Sequence, residues 1–365
     1  MRSSKETKAL PAMASEDWSE LPWRKLEQHV CWLQKRIYRA SCRGNEVVVR
    51  RLQQLRMRSR AAQLLATRRV TQDNQGKKTA GVDGKASLTP PERLEVARRL
   101  NPKGRQPKPR PVRRVWIPKP GKTEKRPLGI PTMEDRARQA LAKLALEPEW
   151  EAKFEPDSYG FRPGRSSHDA IEAIYKNIRL KSKYVLDADS RGCFDHIDHT
   201  ALLSKLTTYP AMKRLIKGWL KAGIMEGSNF TPSEEGPPQG GVISPLLANI
   251  ALHGMEREVW LAFTHKEGKP ALVRYADDFV VFHPTHDGVE KARRVVEKGL
   301  KDMGLAWKPE KTRIIHTWEG ERAGFNFLGC NSRQYRVSAS RSGTAMSGGK
   351  LGFKPSIKPS KEAAA

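Results

Sequence analysis

The stretch RYADDFVVF, residues 274–282, sets two adjacent aspartates between two runs of strand-forming residues. The runs at residues 271–275 and 279–282 predict a β-hairpin with Asp277 and Asp278 at its turn. Aspartate is common in turns because its side chain bonds to nearby backbone and tolerates unusual dihedral angles. Taken alone, the pair is therefore more typical of an ordinary turn than of two carboxylates held together to bind a ligand.

The chain is long and strongly basic. Its 365 residues include 68 Lys and Arg against 40 Asp and Glu, which gives a net charge of +28 spread along most of the sequence. The length allows two or three structural units with a sizeable core. The charge predicts a polyanionic partner, and nucleic acid is favoured over a membrane surface because no apolar run approaches the roughly 20 residues that span a bilayer.

The N-terminus and the cysteines indicate the compartment. The start, MRSSKETKAL, lacks the apolar core of a secretory signal. The cysteines have neither C-x-x-C spacing nor a zinc-type histidine cluster nearby, and they are Cys31, Cys42, Cys193 and Cys330. These features predict reduced thiols in a cytoplasmic protein of bacterial type, and an organelle also fits.

The first hundred residues predict helices after a disordered start. Residues 1–17 have no apolar pattern, which predicts disorder. From Trp23, apolar residues follow helical spacing until Gly44 and Asn45 break the pattern. We therefore expect a helical hairpin with basic outer faces, within a helical N-terminal extension over residues 18–100. Its charged faces fit solvation as well as RNA contact.

A basic segment in the middle of the chain predicts a β-hairpin. Residues 103–126 contain ten Lys or Arg and one acid, Glu124, and five prolines exclude a helix there. Residues 112–117 and 126–130 read as the two arms, with GKTE, residues 121–124, as the tip.

Helices and hairpins then alternate irregularly, which predicts an α+β fold. We expect a helix that Thr132 caps and that ends at Pro148, and another over residues 202–223. The YADD hairpin follows, and after it comes a strand pair around FNFLG, residues 325–329. The tail from Ser338 onward is rich in Ser, Gly and Lys, which predicts poor order.

A third carboxylate indicates that the aspartate pair binds metal ions. In LDADSRGCFD, residues 186–195, Asp189 stands where an apolar strand leaves the predicted sheet. Alone it fits a helix cap or a surface acid equally well. Three carboxylates at strand ends suit two Mg²⁺ ions, which prefer oxygen ligands and substrate phosphates. In two-metal catalysis the ions lie about 3.5–4 Å apart, where they activate the attacking hydroxyl and stabilise the leaving pyrophosphate.

Two further segments fit nucleotidyl transfer. The basic hairpin offers Lys119 and Arg126 to hold a triphosphate. PPQGG, residues 237–241, lets a nucleotide approach the backbone closely because glycine has no side chain. Each segment has an ordinary reading, as a general phosphate-contacting patch or a plain loop, but the combination favours a polymerase site.

The order of the motifs resembles that of group II intron reverse transcriptases, also called maturases. The blocks that carry the resemblance are IPKPGKTEKRPLGIPT, SYGFRPGRSSHDAI, LDADSRGCFDHIDH, GPPQGGVISPLLANI, RYADDFVVF, LAWKPEKTRI and FNFLG. TAGVDG is similar to part of that family's N-terminal extension. The resemblance covers roughly residues 20–335, and so many ordered blocks make it specific.

The resemblance implies a right-hand polymerase with fingers at residues 101–185 and a palm at 186–337. It implies an RNA-directed DNA polymerase that uses two Mg²⁺ ions and dNTPs to extend a DNA primer on an RNA template, in intron mobility and splicing. It further implies that the metal ligands are Asp189, the Ser190 backbone carbonyl, Asp277 and Asp278. The implied nucleotide-binding residues are Lys119, Arg126, Phe194, Gln239 and Lys311, with Phe194 excluding a ribose 2′-hydroxyl. The implied primer contacts are Phe325, Phe327, Leu328 and Gly329.

The sequence departs from the family pattern in two places. Ser190 stands where the family usually has an aliphatic residue. At LGFKPSIKPSKEA the family begins a helical thumb or maturase domain, whereas this sequence ends at Ala365. We therefore expect a chain truncated before the thumb, with residues 338–365 as a flexible tail. Two alternatives stay open: an RNA-binding splicing cofactor or inactive remnant, and a CRISPR-associated or phage-defence reverse transcriptase.

Overall fold

A computed structural model describes residues 17–104, 107–118, 125–188, 196–236, 240–306, 312–345 and 348–364. The N-terminal region is helical, and its elements are α1 (Trp23–Cys42), α2 (Glu46–Arg58), α3 (Arg60–Arg68), a π-helical turn (Arg69–Asp73), a 3₁₀ turn (Gln75–Lys78) and α4 (Pro90–Arg99). The disorder expected for residues 1–17 lies outside the described residues except at Asp17, and the hairpin tip at 121–124 also lies outside them.

The predicted helical hairpin is confirmed. Gly44 has φ +66°, which favours glycine, and the Asn45 side chain accepts a hydrogen bond from the backbone N–H of Val48 to cap α2. The apolar stripe of α1, including Leu33 and Ile37, is buried. It packs on α5 (Met133–Glu151), a helix buried on nearly all sides.

The rest of the chain mixes helices with short strands. The remaining helices are α6 (Ser167–Ile178), α7 (His199–Lys205), α8 (Pro210–Leu220), α9 (Ser244–Leu252), α10 (Met255–Leu261), α11 (His286–Lys301) and α12 (Lys361–Ala364). The strands are β1 (Val112–Pro118), β2 (Lys125–Ile130), β3 (Tyr184–Ala188), β4 (Ile224–Glu226), β5 (Asn229–Thr231), β6 (Ala271–Tyr275), β7 (Asp278–His283), β8 (Thr312–His316), β9 (Phe325–Phe327), β10 (Cys330–Arg336) and β11 (Phe353–Pro359). The α+β class is confirmed.

The central sheet has the strand order β6-β7-β3-β8, and each pair of adjacent strands in it is antiparallel. Its middle strands are buried on both faces. Phe279 and Val281 enter the large core that α5, α9 and α11 share, whereas Val280 and Phe282 enter a second core shared with α6 and β9. A sheet clamped between two cores is a rigid base for the hairpin at its end.

A second sheet, β2-β1-β4-β5, contains the predicted basic hairpin. The antiparallel pairing runs from Arg113 opposite Ile130 to Pro118 opposite Lys125. The two arms confirm the hairpin that was predicted because the prolines exclude a helix.

Two expected helix boundaries are wrong, and both involve proline. The helix that Thr132 caps does not end at Pro148 but continues to Glu151. Loss of one backbone N–H near its end is offset by the burial of Pro148 and Trp150. The expected helix over residues 202–223 is instead α7 and α8, because Pro210 begins a new helix at its first turn.

The expectation of poor order from Ser338 onward, with residues 338–365 as a flexible tail, is wrong for residues 353–359. Strand β11 pairs with β10 over seven positions, from Cys330 opposite Pro359 to Arg336 opposite Phe353. Composition favoured a loop here, but pairing with β10 satisfies the backbone and Phe353 packs against the ring of Trp318 at 5.2 Å. In the described ranges, no helix is long and apolar enough to cross a membrane.

Candidate active site

The two aspartates of the YADD motif lie at the tight turn between β6 and β7. Tyr275 pairs with Asp278, so Ala276 and Asp277 form a two-residue turn. Ala276 has φ +59°, the left-handed region that type II′ turns use at this position and that usually belongs to glycine. This conformation costs free energy for alanine, so the surrounding structure has to hold it.

The buried side chain of Arg274 supports the turn through hydrogen bonds. The Arg274 side chain is 1% exposed, and its Nη1 donates hydrogen bonds to the Ala276 carbonyl and to Oδ1 of Asn249, both at 3.0 Å. Asn249 lies on α9 and is 1% exposed; its Nδ2 donates to the Gly160 carbonyl at 2.8 Å. The three residues link the turn, α9 and the loop that contains Gly160.

The loop of residues 157–162 is joined directly to β6. The Tyr159 N–H donates to the Arg274 carbonyl at 2.8 Å, and the Arg274 N–H donates to the Asp157 carbonyl at 2.9 Å. At Gly160, an added Cβ would lie 2.2 Å from the backbone nitrogen of Ala276. Only glycine allows this approach, so the sequence YGFRPG and the YADD hairpin pack as one unit.

Asp277 and Asp278 line a cavity of about 610 Å³. The basic hairpin lines the same cavity, and its Arg126 supplies a cation. Gly240 has φ +100°, and a Cβ there would lie 2.5 Å from the Gly129 carbonyl of β2. The full lining is Ile117, Pro118, Arg126, Leu128, Phe161, Gly240, Gly241, Ser244, Pro245, Tyr275, Ala276, Asp277, Asp278 and Leu328.

Three acidic residues, Glu155, Asp157 and Glu256, lie close together next to β6 of the YADD hairpin. The Asp157 N–H donates to Oε2 of Glu256 at 3.3 Å. Burial, with the nearby charges of Asp157 and Glu155, raises the pKa of Glu256 to about 7. Tyr159 donates its hydroxyl to Oδ1 of Asp157 at 2.8 Å, and burial together with this bond raises the pKa of Tyr159.

The structure brings four of the predicted site residues to one cavity, namely Arg126, Asp277, Asp278 and Leu328. It does not bring Phe325 and Phe327 there, because their side chains are buried in the second core. Gly329 follows Leu328 in a left-handed conformation. The residues Lys119, Asp189, Ser190, Phe194, Gln239 and Lys311 lie outside the described residues.

Strand β3 leads toward the aspartate pair. Its last residue, Ala188, pairs with Phe279 on one side and with Thr312 on the other. Asp189 follows Ala188 in the sequence, and Lys311 precedes Thr312. Within the described ranges, no three His, Cys, Asp or Glu side chains come together as a metal site.

Sequence reasoning missed the residues that hold the turn. Arg274 and Asn249 belong to quoted motifs but were given no role, and Gly160 and Phe161 stand in SYGFRPGRSSHDAI. A glycine followed by an exposed aromatic was the available signal.

Comparison with known proteins agrees with this geometry. Residues 117–332 match the family model described as reverse transcriptase (RNA-dependent DNA polymerase), and residues 18–100 match the N-terminal domain of reverse transcriptase. The chain belongs to the reverse transcriptase family. The first match covers more than half of the chain, and the resemblance that the motif order predicted is confirmed.

Relatives of this member of the reverse transcriptase family include proteins encoded by group II introns. The group II intron-encoded protein LtrA of Lactococcus lactis subsp. cremoris is 33% identical over 232 residues, which cover 63% of this chain and 37% of LtrA. Protein YkfC of Escherichia coli (strain K12) is 33% identical over 317 residues, covering 75% of this chain and 81% of YkfC. Maturase-like protein 1 of Euglena gracilis is 31% identical and covers 84% of this chain and 63% of its own length. The chain thus spans little more than a third of LtrA.

Proposed function

We propose that this chain is an RNA-directed DNA polymerase of group II intron type, which adds dNTPs to a DNA primer on an RNA template. The observation that carries the proposal is that Asp277, Asp278 and Arg126 line one cavity. Carboxylates that bind metal and a cation that binds phosphate are the two groups that nucleotidyl transfer requires. Asp189, which follows the end of β3, is the proposed third carboxylate.

The donor set fits Mg²⁺. Adjacent carboxylates in a cavity with room for a nucleotide supply the hard oxygen ligands that Mg²⁺ prefers, and Mg²⁺ leaves positions for substrate phosphates. Asp189, Asp277, Asp278 and the Ser190 carbonyl would hold two ions. When bound there, the ions supply Lewis-acid activation of the primer 3′-hydroxyl and stabilise the leaving pyrophosphate.

The chain's own residues bind and orient the substrates. Arg126, with Lys119 on the same hairpin, holds the triphosphate, and Lys311 adds a cation near it. Gly240 and Gly241 let the nucleotide lie against the backbone.

Six further residues complete the proposed assignment. Phe194 excludes a ribose 2′-hydroxyl, and Gln239 lines the nucleotide pocket. Leu328 contacts the primer end from the cavity wall, Gly329 allows the turn beside it, and Phe325 and Phe327 anchor that turn in the core.

The proposed domain organisation follows from this site. Residues 18–100 form the N-terminal extension, residues 101–185 the fingers and residues 186–337 the palm. The proposed partners are an RNA template or intron RNA, a DNA primer or target, and dNTPs. The net charge of +28 supports a polyanionic ligand, whose affinity should fall steeply with salt.

Primer extension tests the proposal. The purified chain, a DNA primer annealed to an RNA template, four dNTPs and Mg²⁺ should give elongated DNA, and Asp277→Asn should abolish elongation while leaving the fold intact. Asp287→Asn is the matched control, because Asp287 is exposed at the start of α11 and does not line the cavity. Salt-sensitive binding to template and primer without elongation would contradict the proposal and favour the RNA-binding alternative.

A further inference from the structure

The PPQGG segment, residues 237–241, brings two glycines to the active-site cavity. Gly240 and Gly241, which are the described residues of this segment, line the cavity together with Asp277 and Arg126. Glycine has no side chain, so it contributes to a binding site only through the position of its backbone. The contacts that fix this backbone therefore determine how a nucleotide fits the cavity.

The backbone before the PPQGG segment is held by His199. This histidine is the first residue of α7 and is 5% exposed, and its Nε2 donates a hydrogen bond to the Gly236 carbonyl at 3.0 Å. A carbonyl only accepts hydrogen bonds, so Nε2 carries the proton. The Gly236 N–H donates to the Ile197 carbonyl at 2.9 Å. Gly236 is thus held through both of its backbone polar groups.

The contacts around α7 fix His199 itself. Ile197 is fully buried, and the Asp198 N–H donates to the Met303 carbonyl at 2.9 Å. The Asp198 side chain caps α7 by accepting a hydrogen bond from the Ala201 N–H at 2.6 Å. In the part of the chain that the structure describes, Nδ1 of His199 has no hydrogen-bond partner. A substitution of His199 therefore tests the bond to Gly236.

The backbone after the PPQGG segment is held by Gln139. Gln139 lies on α5 and is 2% exposed, and its Oε1 accepts a hydrogen bond from the Val242 N–H at 2.8 Å. Burial of a histidine or a glutamine costs free energy unless its polar atoms are bonded. Both side chains use a buried hydrogen bond to hold the backbone beside the same segment.

We propose that His199 and Gln139 are positioning residues for the incoming nucleotide, because they hold the backbone on the two sides of Gly240 and Gly241. The inference rests on the proposed polymerase function. Neither side chain lines the cavity, so both act through the backbone to which they bond. Loss of either bond should weaken dNTP binding and leave the binding of primer and template nearly unchanged, because only the nucleotide lies against these glycines.

Single-nucleotide addition provides the first test. His199→Phe keeps a ring and removes the donor, so the KM for the dNTP should rise by about five- to tenfold, the size expected for one lost buried hydrogen bond. The kcat and the Kd for primer and template should stay within about twofold of the wild type. His199→Gln supplies an amide N–H in place of Nε2 and should restore most of the wild-type KM. Gln139→Met, which removes the acceptor on the other side, should raise KM as His199→Phe does.

A primer that ends in a dideoxynucleotide provides a second test, which does not depend on catalysis. Such a primer cannot be extended, so the fluorescence anisotropy of a labelled dNTP that matches the next template base reports binding at equilibrium. His199→Phe and Gln139→Met should bind this dNTP about five- to tenfold more weakly, and His199→Gln should bind it nearly as the wild type does. A merely structural role would lower the amount of folded protein and leave this affinity unchanged.

His283→Phe is the matched control for the loss of a buried histidine. His283 is 2% exposed, and its Nε2 bonds to the Glu267 carbonyl at 3.2 Å. It stands at the other end of β7 from Asp278 and does not line the cavity. His283→Phe should lower the unfolding temperature and leave the affinity for the dNTP unchanged.

Three outcomes would overturn the inference. They are wild-type dNTP affinity in Gln139→Met or in a folded His199→Phe, an equal loss in His199→Gln and His199→Phe, and an equal loss in His283→Phe. If His199→Phe does not fold, Gln139→Met decides. If the wild-type chain elongates primers and any of the three is seen, the inference fails and the polymerase function stands. If the wild-type chain does not elongate primers, the proposed function fails and the inference fails with it.

Discussion

Two hairpins meet at the cavity, and they are built in different ways. The β6–β7 hairpin continues into strands that are buried on both faces, and its turn is held by Arg274, Asn249 and Gly160. Along β1 of the β1–β2 hairpin, burial decreases from Val112, which is 3% exposed, to Trp116, which is 47% exposed. One hairpin is fixed from several sides, whereas the other extends away from its buried base.

The difference fits what each hairpin holds in the proposed function. Two adjacent carboxylates repel each other, and to hold two metal ions as proposed they need a backbone with rigid support. A long arginine can reach a triphosphate from an exposed strand, because its side chain supplies both reach and charge. Damage to the first hairpin should therefore cost stability and activity together, and damage to the second should cost substrate binding alone.

The largest effect is expected from Arg274→Met. It leaves the Ala276 carbonyl and the Asn249 amide without their buried donor, so the free energy of unfolding should fall by about 3 kcal/mol. Primer extension should fall by at least about a hundredfold because the turn loses its support. Denaturant unfolding and single-nucleotide addition measure the two effects. Arg313→Met on β8 is the control, since Arg313 is exposed, and a loss of equal size there would refute the role of Arg274.

Gly160→Ala tests the close approach of the loop to the turn. The new Cβ would meet the Ala276 backbone at 2.2 Å, so the loop or the turn has to move. We expect a loss of about 1–3 kcal/mol in stability and a clear loss of extension. In Gly349→Ala nothing lies within 4 Å of the new Cβ and neither property should change. Wild-type extension by Gly160→Ala would show that the packing is unimportant to the site.

Arg126→Ala tests the exposed hairpin. The KM for dNTPs should rise by about tenfold, the size expected for one lost charge-assisted phosphate contact, while the unfolding temperature stays close to that of the wild type. Steady-state kinetics measure the change in KM, and thermal unfolding measures the change in stability. Lys125 neighbours Arg126 on β2 but does not line the cavity, so Lys125→Ala should leave KM nearly unchanged. A large loss of stability in Arg126→Ala would remove the contrast between the hairpins.

The smallest effect, a change in stability with pH, is expected at Glu256, near β6 of the β6–β7 hairpin. Because burial raises its pKa to about 7, the folded chain favours the protonated carboxyl. The stability that this proton provides is complete below the ordinary pKa near 4.5 and is lost as the pH rises through 7. Glu256→Gln should therefore match the wild type near pH 4.5 and be more stable at pH 8, by about 1 kcal/mol once solvent screening is considered.

Thermal unfolding at the two pH values checks the Glu256 prediction. Glu321→Gln, at an exposed position, should change the unfolding temperature by the same amount at both pH values. A Glu256→Gln variant that is less stable than the wild type at pH 8 would contradict the prediction.

Local patterns predicted much of the fold. Prolines that exclude a helix predicted β1 and β2, and an apolar stripe with a Gly-Asn break predicted α1 and α2. Local reasoning failed where tertiary contacts outweigh composition or proline, as at Pro148 in α5 and in β11, which pairs with β10.

The site shows the same division. Motif order pointed to Asp277, Asp278 and Arg126 as parts of one site. It gave no role to the buried bonds from Arg274 to Asn249 and from Asn249 to Gly160, which span 25 and 89 residues of sequence. Such long-range contacts leave no periodic signal, because each partner alone fits an ordinary strand, helix or loop.

The most direct measurement is incorporation of a single dNTP onto a DNA primer annealed to RNA, with Mg²⁺, by the wild-type chain and by Asp277→Asn at equal protein concentration. We expect RNA-templated addition by the wild-type chain and a loss of at least about a thousandfold in the variant, whose unfolding temperature should remain close to that of the wild type. Equal addition by both proteins would contradict the assignment of Asp277, and absence of addition by the wild-type chain would contradict the proposed activity itself.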